Sequence, residues 1–76
     1  MSELELMDIF VDNLKSKMDE VGISQAELAM EAGLYKSTIS RYLSRERLPN
    51  IRALVNICYV LECNLDELIP AYDLII

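Results

Sequence analysis

Residues 24–43 read SQAELAMEAGLYKSTISRYL, and the fold turns on them. Ser24 followed by Glu27 has capping-box spacing, in which a hydroxyl and a carboxylate each take a backbone N–H left over at a helix start. That spacing predicts a short helix opening at Ser24 and ending near Ala32. Gly33 follows, a residue that adopts positive φ without steric cost and so suits a three- or four-residue turn. A second short helix is expected from about Lys36 to Leu43, with Ile39 and Leu43 one turn apart on its inner side. Ala29 sits where two helices must approach closely, because its side chain is one methyl group. Leu28, Leu34 and Ile39 are expected to supply the buried contacts.

Outward from this pair the chain reads as helix. Upstream, Met7, Phe10, Val11, Leu14, Met18 and Val21 recur at intervals of three and four, one apolar stripe on a helix from about Glu3 to Glu20. Ser2 and Glu5 have capping-box spacing at its start, and Gly22 stands just past its end. Downstream, Arg45-Glu46-Arg47-Leu48-Pro49 reads as a connector, since proline cannot continue a helix. Asn50 is a suitable N-cap for a fourth helix from Ile51 to about Leu61, with Leu54, Ile57, Cys58 and Leu61 on its apolar face. Asn64 caps a short fifth helix with Glu67 three residues on, Leu65, Leu68 and Ile69 to bury, and Pro70 as its stop. The tail Ala71-Tyr72-Asp73-Leu74-Ile75-Ile76 is too apolar for a free end. Leu74, Ile75 and Ile76, with the exposed part of the fifth helix, are expected to form a homodimer interface, or else to fold back onto the first helix.

Seventy-six residues make one domain, spanning 1–76. An apolar fraction of 53% permits a real core, and only two Gly and two Pro argue against an all-β or disordered chain. The fold class is therefore all-α. The acidic start MSELELMD is no secretory signal. No apolar run approaches the ~20 residues that span a bilayer, and the chain is expected in the cytoplasm. Cys58 and Cys63, without a His anywhere, are too few for a metal site. They read as reduced thiols packed as small apolar groups. No cofactor is expected, and the absence of His, of a thiol–base pair and of a Gly-rich phosphate loop argues against an enzyme.

The net charge of -6 is the wrong sign for binding a polyanion, but it is segregated. Residues 1–34 carry eight acids against two lysines, and residues 62–76 carry four acids and no base. Between them, Lys36, Arg41, Arg45, Arg47 and Arg52 face Glu46 alone. A local patch, not the net charge, decides where a polyanion docks. Gln25, Ala29, Gly33 and Ile39 fall at the four spacings that a helix-turn-helix needs, and such a unit lays its second helix in the major groove. With Ile39 and Leu43 turned inward, Lys36, Ser37, Ser40 and Arg41 point outward as the expected base-reading residues. Lys and Arg suit guanine O6 and N7, and serine can donate or accept. Gln25, opening the first helix of the pair, is expected to hold a phosphate with its amide and the nearby N–H groups. Arg45, Arg47 and Arg52 are expected to grip the flanking backbone, with Tyr35, Thr38 and Asn50 beside them. Double-stranded DNA is the expected partner.

The ordered set SQAELA at 24–29, Gly33, STISRYL at 37–43, Pro49-Asn50, Leu54 and Leu61-x-x-x-Leu65-Asp66-Glu67-Leu68 resembles the lambda-repressor-like helix-turn-helix family, also called the xenobiotic-response-element type. The resemblance covers about residues 5–69. It implies a five-helix domain and a sequence-specific bacterial or phage regulator, a repressor binding a palindromic operator as a dimer, with half-sites about one helical turn apart. By position, Gln25 matches the family's phosphate-anchoring Gln, and Lys36, Ser37 and Arg41 match its base-reading positions. Three departures stand out. Tyr35 replaces the usual Ser or Thr N-cap of the recognition helix, Arg45 replaces the usual Gly after it, and the first and fifth helices are unusually acidic. The acidic surface also suits a protein-interaction module on the same fold, such as an antitoxin or an antirepressor-like partner that docks a basic protein.

Overall fold

The structure, a computed structural model, describes residues 2–70. They form five helices: α1 (Glu3–Val21), α2 (Gln25–Ala32), α3 (Lys36–Leu43), α4 (Ile51–Leu61) and α5 (Leu65–Leu68), with no strand among the described residues. Side chains start four of them. Ser2 Oγ accepts the Glu5 N–H at 3.1 Å, and Asn50 Oδ1 accepts that of Ala53 at 2.8 Å. Ser24 and Glu27 exchange bonds as a full capping box, and the Glu67 carboxylate accepts the Asn64 N–H at 2.7 Å.

The helix ends share one device. Gly22 (φ 77°), Gly33 (φ 70°), Arg45 (φ 64°) and Glu62 (φ 53°) are left-handed, at the close of α1, α2, α3 and α4. In each case the next residue bonds back five positions: Ile23 to the Met18 carbonyl, Leu34 to Ala29, Glu46 to Arg41, and Cys63 to Cys58. This is the Schellman arrangement, which satisfies carbonyls at the helix end and brings the two bonded residues' side chains together. At the end of α4 those residues are the two cysteines. Burial pushes the Cys58 thiol up to about 12, so both groups stay protonated and pack as apolar atoms.

The core is continuous. Phe10, Val11 and Leu14 of α1, Leu28 and Ala29 of α2, Ile39 and Tyr42 of α3, and Ile57 and Leu61 of α4 are buried together, closed by Leu68 and Ile69. Phe10 and Tyr42 meet edge to face, ring centroids 6.2 Å apart at 77°, the arrangement the ring quadrupoles favour. The α2 helix packs on both α3 and α4, and α1 packs on α3, α4 and α5. The backbones of α3 and α4 stay apart, with α1 and α2 packed on both. Asn13 Nδ2 donates to the Leu68 carbonyl at 3.0 Å, and Lys17 Nζ lies 2.9 Å from Glu67, tying α5 to α1.

Most of the expected apolar positions are inside, with exceptions that have local causes. Val21, expected at the end of the α1 stripe, is 50% exposed. The chain turns at Gly22, and Ile23 packs on the core in its place. Leu34 is half-buried rather than buried. Tyr42, not expected inside, is buried because α3 meets α1 as well as α2. The face of α5 turned to solvent is not apolar: Leu68 and Ile69 are buried and Leu65 half-buried, leaving Asp66 and Glu67 outside. Leu74, Ile75 and Ile76 lie outside the described residues.

No atom lies within 4 Å of where a Cβ on Gly33 would sit, so its requirement is conformational only. Gly33→Ala is expected to lower unfolding stability by about 1 kcal/mol, the left-handed penalty of a Cβ, as read from urea denaturation. Glu67 supplies a pH dependence. The Asn64 N–H, and then Lys17, hold its carboxyl below its ordinary value. A lowered folded pKa contributes stability in full above the unfolded value, and that contribution is lost as pH falls through the folded one. Glu67→Gln should therefore lower the melting temperature at neutral pH and make the acid limb of the stability curve less steep.

Candidate nucleic-acid interface

The α3 helix is held from behind. Ile39 and Tyr42 are buried, and Thr38 and Leu43 half-buried, so its packed side uses four of eight residues. Lys36, Ser37, Ser40 and Arg41 remain exposed on the other side, as the spacing predicts. Behind α3, Ala29 is buried where α2 crosses it, and Asn56 Nδ2 of α4 donates to the Ala32 carbonyl at 3.3 Å, pinning the turn between α2 and α3. Asn56 was missed in the sequence. Its signal was a lone amide within the otherwise apolar run of α4.

Two shallow concavities lie on this part of the surface. Ser24, Gln25, Ala26, Lys36 and Ser40 line the first, where α2 begins. Ser40 Oγ donates to Gln25 Oε1 at 3.0 Å, a bond from α3 to α2. It leaves the Gln25 NH2 group as the donor for an outside acceptor, and it leaves Ser40 with only its lone pairs to offer. Within α2's first turn the capping box uses the N–H groups of Ser24 and Glu27. Those of Gln25 and Ala26 are the remaining orphan donors of that helix start.

The second concavity lies where α4 begins. Thr38, Arg47, Asn50 and Arg52 line it together with Gly33, Leu34 and Tyr42. The Asn50 carbonyl oxygen is engaged as the α4 cap, which leaves its NH2 end to donate outward. Burial raises the pKa of the Tyr42 hydroxyl, partly opposed by nearby Arg47, so the group stays protonated. Tyr35 is 81% exposed and makes no side-chain cap. Its carbonyl instead takes the N–H groups of Thr38 and Ile39 at 3.0 and 3.3 Å, which is how α3 starts without a capping hydroxyl.

Arg45 joins neither group. Its Nε donates to Asp8 at 2.6 Å and its terminal nitrogen to Asp12 at 3.1 Å. The Asp8 hydrogen bond, more than any other influence, raises the guanidinium pKa further. Position after the recognition helix suggested a phosphate contact, but the left-handed turn at Arg45 places the side chain over α1. The signal was Asp8 and Asp12 themselves, four residues apart and therefore on one face of a helix. Of the sequence-derived set, the structure thus gathers Gln25, Lys36 and Ser40 in one place and Thr38, Arg47, Asn50 and Arg52 in another. Ser37, Arg41 and Tyr35 stay on the open surface, and Arg45 is set aside on α1.

Among the described residues no group of three or more His, Cys, Asp or Glu side chains is placed to hold a metal ion, and no helix is long and apolar enough to cross a membrane. The fold is similar to that of the SOS-response transcriptional repressor LexA from Eubacterium rectale, solved in solution. The TM-score is 0.81 at 22% identity, over 91% of this chain and 73% of that one. At that identity the likeness shows the fold. Among curated proteins none matches the chain significantly in sequence. The model of one sequence family does match, over residues 13–73, which include the turn, both concavities and α3, and so the chain belongs to the Cro/C1-type helix-turn-helix DNA-binding domains.

Proposed function

We propose that this chain is a sequence-specific transcriptional regulator, a small bacterial or prophage repressor that acts in the cytoplasm as a single domain over 1–76. It binds a palindromic operator as a homodimer. The observation that carries the reading is the pair of donor-lined concavities beside the exposed residues of α3. In this reading Lys36, Ser37 and Arg41 address base edges in the major groove, with Ser40 accepting only. Gln25, with the free N–H groups of α2's first turn, holds one phosphate. Thr38, Arg47, Asn50 and Arg52 hold another on the far flank, and Tyr35 lies against the sugar-phosphate chain.

The acids of α1 tune this surface. By holding Arg45, Asp8 and Asp12 withdraw one cation from the phosphate term, which dominates affinity and its salt dependence. A domain built this way gains less from sequence-independent attraction and relies more on base contacts. The alternative role, a module whose acidic α1 docks a basic protein, can coexist with DNA binding and does not by itself require a specific operator.

Salt-titrated binding to the chain's own promoter region tests the reading. One tight site and a steep salt slope are expected, and uniformly weak binding to every sequence would instead favour the protein-docking role. Arg41→Ala should cost about 1–3 kcal/mol and relax one base position, whereas Arg47→Ala should weaken all sequences alike and reduce the salt slope by about 1. Replacing Asp8 and Asp12 together by Asn should free Arg45 and steepen the slope by about 0.9, one added phosphate contact. The same pair of changes made on top of Arg45→Ala should leave the slope where Arg45→Ala alone puts it.

A further inference from the structure

Three of the large apolar side chains exposed on this domain belong to one helix. Ile51, Val55 and Tyr59 of α4 are 64%, 48% and 86% exposed. They recur at intervals of four and form a stripe about 12 Å long, on the side of α4 opposite the buried Leu54, Ile57 and Leu61. The sequence reading assigned α4 a single apolar face, but the helix has two, and the core uses only one. A helix apolar on both sides is expected to be covered on both.

The stripe's ends differ in charge. Arg52 flanks Ile51, and Arg47 lines a concavity with it. At the other end Glu62 follows the helix, and Glu31 and Glu62 line a cavity with Tyr59. A second copy placed antiparallel about Val55 sets each Ile51 against the partner copy's Tyr59. It also brings the basic start of each α4 towards the acidic end of the other, whereas a parallel pairing sets acid against acid. A two-fold interface must be self-complementary, and this arrangement satisfies that in shape and in charge.

We infer that this α4 stripe, paired antiparallel about Val55, is the homodimer interface. The inference deepens the dimeric part of the regulator reading and rests on it only for its biological use. Asp66 and Glu67 face solvent on α5, so that helix offers no comparable apolar surface. Three apolar side chains a copy with charged ends make a modest contact, and the solution dimer is accordingly weak and dependent on concentration. This dimer takes Arg52 from the phosphate-holding set and turns it to the partner copy, leaving Thr38, Arg47 and Asn50 for phosphate.

Sedimentation equilibrium of the full chain without DNA tests this. The wild type should pass from monomer to dimer as concentration rises. Val55→Glu and Tyr59→Glu should each weaken association at least about tenfold with unchanged far-UV circular dichroism. Leu4→Glu, at an equally exposed apolar site on α1, should leave it unaltered. Arg52→Glu should weaken the dimer, and adding Glu62→Arg should restore it. A wild type that stays monomeric at every concentration overturns the inference, as would happen if residues 71–76 or a different protein covered the stripe. A Val55→Glu chain that dimerises like the wild type overturns it as well, and moves the interface elsewhere. Neither result touches the DNA reading, which stands or falls on operator binding and on Arg41→Ala.

Discussion

How the helices stop decides this structure. Four of them end on a left-handed residue whose successor bonds back five positions, and three of the four connections need only three residues, the one from α3 to α4 taking seven. Together with the N-cap side chains and Pro49, those stops fix where the helices break and so let their apolar stripes meet. Two stops use glycine. The other two place Arg45 and Glu62 in a conformation that costs a residue with a Cβ roughly 1–2 kcal/mol. At Arg45 the strain has a visible counterpart, since the same turn carries the guanidinium to Asp8 and Asp12. Exposed ion pairs are individually worth about 0–1 kcal/mol, so the two bonds offset the strain only in part. What glycine would not provide is the link from the end of the recognition helix to α1.

That link also changes the electrostatic picture. An acidic chain that binds DNA looks contradictory while charge is counted over all 76 residues. Resolved by place, the acids of α1 and α5 are partly engaged internally, by Arg45 at one end and by Lys17 at the other. The remaining bases, Lys36, Arg41, Arg47 and Arg52, are exposed around α3 and the start of α4. The field a duplex meets on that side is therefore set by short-range neighbours, with the rest attenuated beyond a Debye length of about 8 Å at physiological salt. One cation fewer on the face is the cost of the Arg45 tie.

Local chemistry made most of this legible in the sequence. Capping boxes at Ser2 and Ser24, the cap at Asn50 and the glycine stops fixed the limits of α1 to α4 closely, because each rests on residues within five positions of one another. The exposed side of α3 followed from knowing that Ile39 must face inward. What could not be read were relations between helices. Tyr42 is buried only because α1 passes behind α3, Val21 is exposed only because Ile23 returns over the core, and Arg45 leaves the DNA face only because Asp8 and Asp12 lie across from it. Periodicity carries no information about which second helix will cover a given face. The same gap hid the outer stripe of α4, since a helix apolar on two sides looks like one with a single generous face.

The three layers constrain one another. Ser40 and Gln25 bond between α3 and α2, a side-chain tie between the two helices of the turn in addition to their packing. The backbone of α3 packs on α1 and α2 and not on α4. The described domain measures 31 × 23 × 21 Å, and successive major grooves on one side of a duplex lie about 34 Å apart. Were the α4 stripe to pair two copies as proposed, a weak interface would suffice, because a duplex holding both half-sites would supply the effective concentration that three exposed side chains a copy do not.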